Sequence, residues 1–97
     1  MERYLVLWEG DESKIPIAAQ EKKSAWQMAT EMVEQDIKNG LIKDYGAFVG
    51  QPNGFIIAEG THEEILKMAI KFIPFYRFKV IPVASIDQVK EAIKAIA

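Results

Sequence analysis

One histidine, two carboxylates at the ends of apolar runs, and a small set of aromatic side chains are the residues here with chemistry to offer. Glu9 closes the run Tyr4-Leu5-Val6-Leu7-Trp8, and Glu59 closes Phe55-Ile56-Ile57-Ala58. Each acid is followed by glycine, so the two runs echo one another: Trp8-Glu9-Gly10 and Ala58-Glu59-Gly60. If these runs are neighbouring parallel strands, both carboxylates emerge at one edge of a sheet. His62 follows three residues after Glu59, in the first turn of the next helix. An imidazole beside carboxylates can move protons, which makes His62, Glu59 and Glu9 the candidate catalytic set. The same residues also serve plain helix capping and solubility.

A second group is aromatic. Trp8, Trp26 and Tyr45 could line a pocket for a flat apolar molecule, with the phenol as its polar handle. Their other role is core packing. Arg77, with Lys79 beside it, could hold a carboxylate on the ligand, although cations on an outer strand also guard it against stray pairing. The chain has no glycine-rich phosphate loop, nucleophile elbow or metal-ligand pair, so neither a metal nor a cofactor is expected.

Composition narrows the classes. The chain has 97 residues, expected as a single domain over 1–97. Its 12 basic and 14 acidic residues give a net charge of −2, with no basic patch fit for nucleic acid. There is no cysteine, which suits a reducing cytosol. No apolar run approaches the roughly 20 residues that span a bilayer. The start, Met1-Glu2-Arg3-Tyr4, lacks the layout of a signal peptide. A cytoplasmic globular domain is the expectation.

The elements that must position these residues follow from periodicity. A strand is expected over 3–9, then a polar loop containing Pro16. A helix over 22–39 carries Ala25, Ala29, Met32 and Val33 on one side and ends at Gly40. Asp36 falls inside that stripe by arithmetic, and escape to water at the helix end is expected. A strand over 41–50 and one over 55–58 form a hairpin about Gln51-Pro52-Asn53-Gly54, with Asn-Gly supplying the positive φ. Thr61 and Glu64 make a capping box for a helix running to about Ile73, with Ile65, Leu66, Ala69, Phe72 and Ile73 on its inner face. Pro74 stops it. A strand over 76–83 contains Pro82, which marks an edge. Ser85 and Gln88 cap a last helix whose Ile86, Val89, Ile93 and Ile96 form a 3-4-3 seam.

The order is β-α-β-β-α-β plus a terminal helix: an α+β, ferredoxin-like antiparallel sheet with the first and third strands central. Both central strands are apolar on both sides, so burial of both sheet faces is expected. The two helices of one unit cover only one face. A second copy packed sheet against sheet, giving a homodimeric α+β barrel, covers the other. The terminal helix laid over that face is the alternative.

These patterns resemble the dimeric α+β barrel superfamily, most nearly its muconolactone isomerase-like branch. Residues about 25–83 carry the similarity: Lys38-Asn39-Gly40 ending a helix, Gly46 within an aromatic strand, Phe55–Gly60, and the proline-aromatic run Phe72-Ile73-Pro74-Phe75-Tyr76. The resemblance implies a pocket between helices and sheet and a homodimer or higher homo-oligomer. It also implies isomerases, cofactor-free monooxygenases and haem-handling enzymes among the relatives. The lysine and carboxylate expected on the isomerase's first helix are replaced here by Trp26, Gln27, Met28 and Ala29, with Glu31 the nearest acid. The Asn-Trp-His set of the small haem-degrading monooxygenases has no counterpart. Two readings stand. One is a non-catalytic homo-oligomeric domain that binds a small hydrophobic or carboxylate-bearing molecule. The other is a cofactor-free isomerase or monooxygenase using His62 or a nearby acid.

Overall fold

The computed structural model describes residues 2–14 and 17–96, which leaves Pro16 of the first loop outside the described residues. The elements are β1 (Arg3–Gly10), α1 (Ala19–Lys38), β2 (Ile42–Ala47), β3 (Asn53–Glu59), α2 (His62–Ile70), β4 (Tyr76–Val83) and α3 (Ile86–Lys94). The strands form one sheet in the order β2-β3-β1-β4, and every neighbouring pair is antiparallel. This is a small α+β fold with a four-stranded antiparallel sheet and three helices, an arrangement compatible with the ferredoxin-like class.

β1 and β3 are central, as the apolar runs require, but they are not parallel. The α1 crossover returns the chain so that β2 runs with β1, and the β2–β3 hairpin then reverses it. β3 therefore runs against β1, pairing Arg3 with Glu59 and Glu9 with Asn53.

The sheet has one covered face. Tyr4, Val6 and Trp8 of β1 are buried beneath the helices together with Ile56 and Ala58 of β3, while Leu5, Leu7, Phe55 and Ile57 on the other side are only half-buried. Burial of both faces is thus not achieved within one chain. α1 contributes Val33 to the core, with Trp26, Ala29 and Met32 packed against it, whereas Ala25 stays exposed. From α2 and the turn after it come Ile65, Met68, Ala69 and Phe72. Leu66 and Ile73, expected inside, are exposed. α2 ends at Ile70, before the expected Ile73, and the flexible Met68 fills the space under it at 1% exposure.

Local chemistry sets the element ends. The Thr61 hydroxyl accepts from the Glu64 amide at 3.2 Å, and Glu64 accepts from the Thr61 amide at 3.0 Å. Ser85 and Gln88 repeat the pair at α3. Gly40 (φ +82°) closes α1. In the β2–β3 hairpin, the positive φ belongs to Gly50 (+86°), and Asn53-Gly54 are already strand.

Asp36 corrects the expectation of a solvated helix end. It is 5% exposed, and both its carboxylate oxygens accept from Lys71 Nζ, at 2.7 and 2.9 Å. Lys71 follows α2 directly, so this ion pair ties the C-terminal ends of α1 and α2. Its lysine stays partly wet, which limits the desolvation cost.

α3 has no buried residue; Ile86, Val89, Ile93 and Ile96 are 69, 42, 58 and 76% exposed. The molecule measures 60 × 25 × 20 Å with a radius of gyration of 15.9 Å. A compact chain of this length would be nearer ~13 Å, so part of it stands away from the body. Among the described residues, no helix is long and apolar enough to cross a membrane.

Candidate ligand-binding site

The antiparallel pairing separates the expected catalytic set. Glu59 and His62 lie at one end of the sheet, Glu9 at the other, six residues along β1 or about 20 Å. Each acid faces a cation across the strand pair: Arg3 Nη2 lies 3.1 Å from Glu59, and Arg77 Nη2 lies 3.3 Å from Glu9. The His62 ring is exposed and sits against Tyr4, 5.8 Å between centroids. The echo between the two strand endings is real as sequence, but it serves two separate cross-strand ion pairs.

The aromatic set does assemble. Trp8 stands opposite Gly54 on β3 and opposite Phe78 on β4. With no side chain on Gly54, the indole lies across that strand and stacks on Tyr45 of β2, with centroids 5.7 Å apart and planes 5° from parallel. A Cβ on Gly54 would lie 2.6 Å from Trp8 Cζ2 and would collide with the Gly46 carbonyl oxygen. Glycine is therefore required there for close approach, not for turn geometry. This explains why Asn53-Gly54 is strand.

Tyr76, at the start of β4, is the hub that the sequence reading left out of the site. It meets Trp8, Trp26 and Phe72 edge-on, at 5.8, 6.0 and 5.9 Å. The signal for it was present: Tyr76, Phe78 and Val80 alternate on one face, and that face is the covered one. Between α1 and the sheet these rings leave a cavity of ≈ 30 Å³, room for a water or two, whose remaining wall comes from Ala29, Thr30, Val33 and Ile56. It shares Trp26, Ala29, Phe72 and Tyr76 with a groove of ≈ 330 Å³ running between α1 and the turn at 71–75.

The polar groups at this cavity are few and neutral. Trp8 is 5% exposed, and its indole N–H has no hydrogen-bond partner among the described residues. The Thr30 hydroxyl lies against the carbonyls of Trp26 and Gln27, to which it donates. Burial raises the pKa of Tyr45 and of Tyr76, and for Tyr76 the charge of a Tyr45 phenolate adds to the effect. At neutral pH both phenols are uncharged. Among the described residues no carboxylate, imidazole or cation lines the cavity; Lys71, which borders the adjoining groove, is paired with Asp36.

Arg77 is not part of it. It alternates with Tyr76 and Phe78, so it lies on the opposite face, paired with Glu9. There it borders an open depression of ≈ 520 Å³ with Leu7, Phe48 and Lys79. Of the four ligand-binding candidates, the fold brings Trp8, Trp26 and Tyr45 to one cavity and leaves Arg77 outside it. Among the described residues no cluster of acids and histidine could hold a metal.

Searches against known protein families and against curated proteins find no match for this chain.

Proposed function

We propose that this chain is a homo-oligomeric small-molecule-binding domain. Its ligand is a flat, uncharged, largely apolar molecule with one hydrogen-bond acceptor. It enters by the groove beside α1 and sets that acceptor against the Trp8 indole N–H. The observation that carries this reading is the buried, unpartnered Trp8 N–H in an aromatic wall. A buried donor left unpaired costs about 1–3 kcal/mol, and a ligand acceptor recovers that cost. The groove's volume is of the size that takes small ligands. A carboxylate-bearing ligand is disfavoured, because Arg77 lies on the other face and Lys71, the cation at the groove, is already paired with Asp36.

Binding is favoured over catalysis because the cavity offers no proton acceptor active near neutral pH. The isomerase- or monooxygenase-like reading relied on His62 with Glu9 and Glu59, and these three do not meet. The resemblance to the dimeric α+β barrel superfamily remains a proposal. So does the homodimer, which the half-buried Leu5, Leu7, Phe55 and Ile57 support: a second copy on this face would remove an apolar patch from water.

The ligand test uses 2-naphthol and isothermal calorimetry. Wild type is expected to bind saturably, one per chain. Trp8→Phe keeps a ring and loses the N–H, and should weaken binding about tenfold. His62→Ala should leave it unchanged. Equal binding by Trp8→Phe would refute the role of the indole. For the homodimer, sedimentation should give a dimer for wild type and a monomer for Leu7→Glu.

A further inference from the structure

The bare face of the sheet keeps two charges that its own chain does not match. The strand register sets the side chains of this face in rows. Its centre is Leu5, Leu7, Phe55, Ile57, Ile81 and Val83, all half-buried. No α3 residue is buried, so that helix leaves the face open. Toward the two ends of the strands the charges are matched within the chain, Arg3 with Glu59 and Arg77 with Glu9. Two remain. Asp44 sits on β2 opposite Ile57, and Lys79 sits on β4 opposite Leu7. Both are exposed, and neither has an ion-pair partner among the described residues. Lys43, at the irregularity between Ile42 and Asp44, reaches back toward Gly40.

A contact between two identical copies needs a surface complementary to itself. This face has an apolar centre, an acid on one outer strand and a base on the other. β2 and β4 are the two edges of the sheet, three strand spacings or about 14 Å apart, so Asp44 and Lys79 do not meet within one chain. Stacked sheets keep their strands within about 30° of each other in the aligned packing. A two-fold axis across the strands would then set Lys79 beside the partner's Lys79, like charge on like. A two-fold axis along the strands turns each β2 over the partner's β4 and keeps the rows level. Asp44 then faces the partner's Lys79 across the roughly 10 Å between sheets, one row along, within reach of a lysine. We infer that two copies stack their bare faces about an axis along the strands, with Asp44 of each paired to the partner's Lys79.

Four strands, the longest of eight residues, make a face of about 19 by 27 Å, or ~500 Å² in projection. The relief of its side chains adds to that, which brings it to the low end of stable interfaces, ~600 Å² per partner. The inference rests on the homodimer proposed above and adds its orientation. The groove beside α1 lies on the other side of the sheet and stays open to the ligand.

The absence of native cysteine allows a direct test. Asp44→Cys and Lys79→Cys chains are made separately, mixed, and treated with a short bismaleimide. Both positions are exposed, and the mixed pair keeps one of its two ion pairs. The expected result is a covalent heterodimer, absent when either variant is treated alone. Lys79→Cys crosslinking to itself would put the axis across the strands and overturn the inference. A wild-type dimer by sedimentation, with no crosslink in the mixture, would overturn it too while leaving the homodimer intact. A wild-type monomer would overturn both. Charge reversal gives a second readout. Asp44→Lys should weaken the dimer about tenfold, and Asp44→Lys/Lys79→Asp in one chain should restore most of the loss. An unchanged dimer in Asp44→Lys would overturn the pairing.

Discussion

Gly54→Ala is the smallest change that attacks the aromatic cavity without touching an aromatic residue. The added methyl carbon would sit 2.6 Å from Trp8 Cζ2 and 2.8 Å from Cε2, well inside van der Waals contact, and against the Gly46 carbonyl oxygen on the other side. Neither neighbour is the loose end of a flexible chain. Either β2 and β3 separate or the indole tips off Tyr45. Overpacking of this kind costs about 1–3 kcal/mol, and loss of the Trp8–Tyr45 stack adds about 0.5–1.5 kcal/mol. A domain of this size holds only about 5–15 kcal/mol in total. At about 4–8 °C per kcal/mol, the melting temperature should fall by roughly 6–36 °C. Gly46→Ala is the control. It lies in the same strand pair, but its Cβ would meet only the Phe55 ring on the half-buried face, which can swing aside. It should cost less than half as much. The assay is urea unfolding followed by far-UV circular dichroism, with the near-UV spectrum reporting the stack. A Gly54→Ala protein within 0.5 kcal/mol of wild type, with its near-UV spectrum intact, would refute the packing argument.

Two further predictions concern charge. The raised phenols of Tyr45 and Tyr76 stay protonated in the folded chain at a pH where the unfolded chain, at the ordinary value of about 10, has begun to lose its protons. The unfolded state then binds fewer protons, so stability must fall as pH rises above about 10. The urea midpoint should drop there in wild type and drop less in Tyr45→Phe/Tyr76→Phe; equal slopes would contradict it. Lys71→Met strands the Asp36 carboxylate, 5% exposed, without its partner and should cost about 1–3 kcal/mol. Asp36→Asn in the same chain should recover part of that loss, as unfolding midpoints will show.

The elements were largely legible because their signals are local. Both capping boxes, Gly40, the apolar central strands and the edge position of Pro82 act within a few residues of themselves. The failures were matters of long-range direction. Glu9 and Glu59 looked like companions because both end apolar runs, but the hairpin reverses β3 and sends them to opposite ends. Asp36 looked solvated because its partner, Lys71, is 35 residues away. Gly54 looked like a turn residue because its actual constraint, the Trp8 indole, comes from another strand. Leu66 was assigned to the core by spacing alone, but the helix is turned so that Met68 fills the space. Trp8, Trp26 and Tyr45, picked out by residue type, come together at one cavity. Arg77 lies apart from them because its strand face decides which side of the sheet it serves.

The central claim is that the cavity takes an uncharged acceptor. Its most direct test is a calorimetric titration of the wild-type chain with two ligands of one ring system, 2-naphthol and 2-naphthoate. A site walled by Trp8, with its unpartnered indole N–H, and by two neutral phenols, whose nearest cation, Lys71, is held by Asp36, should bind 2-naphthol saturably and at least tenfold more tightly than 2-naphthoate. Equal or tighter binding of 2-naphthoate, or no saturable binding of 2-naphthol, would contradict the account.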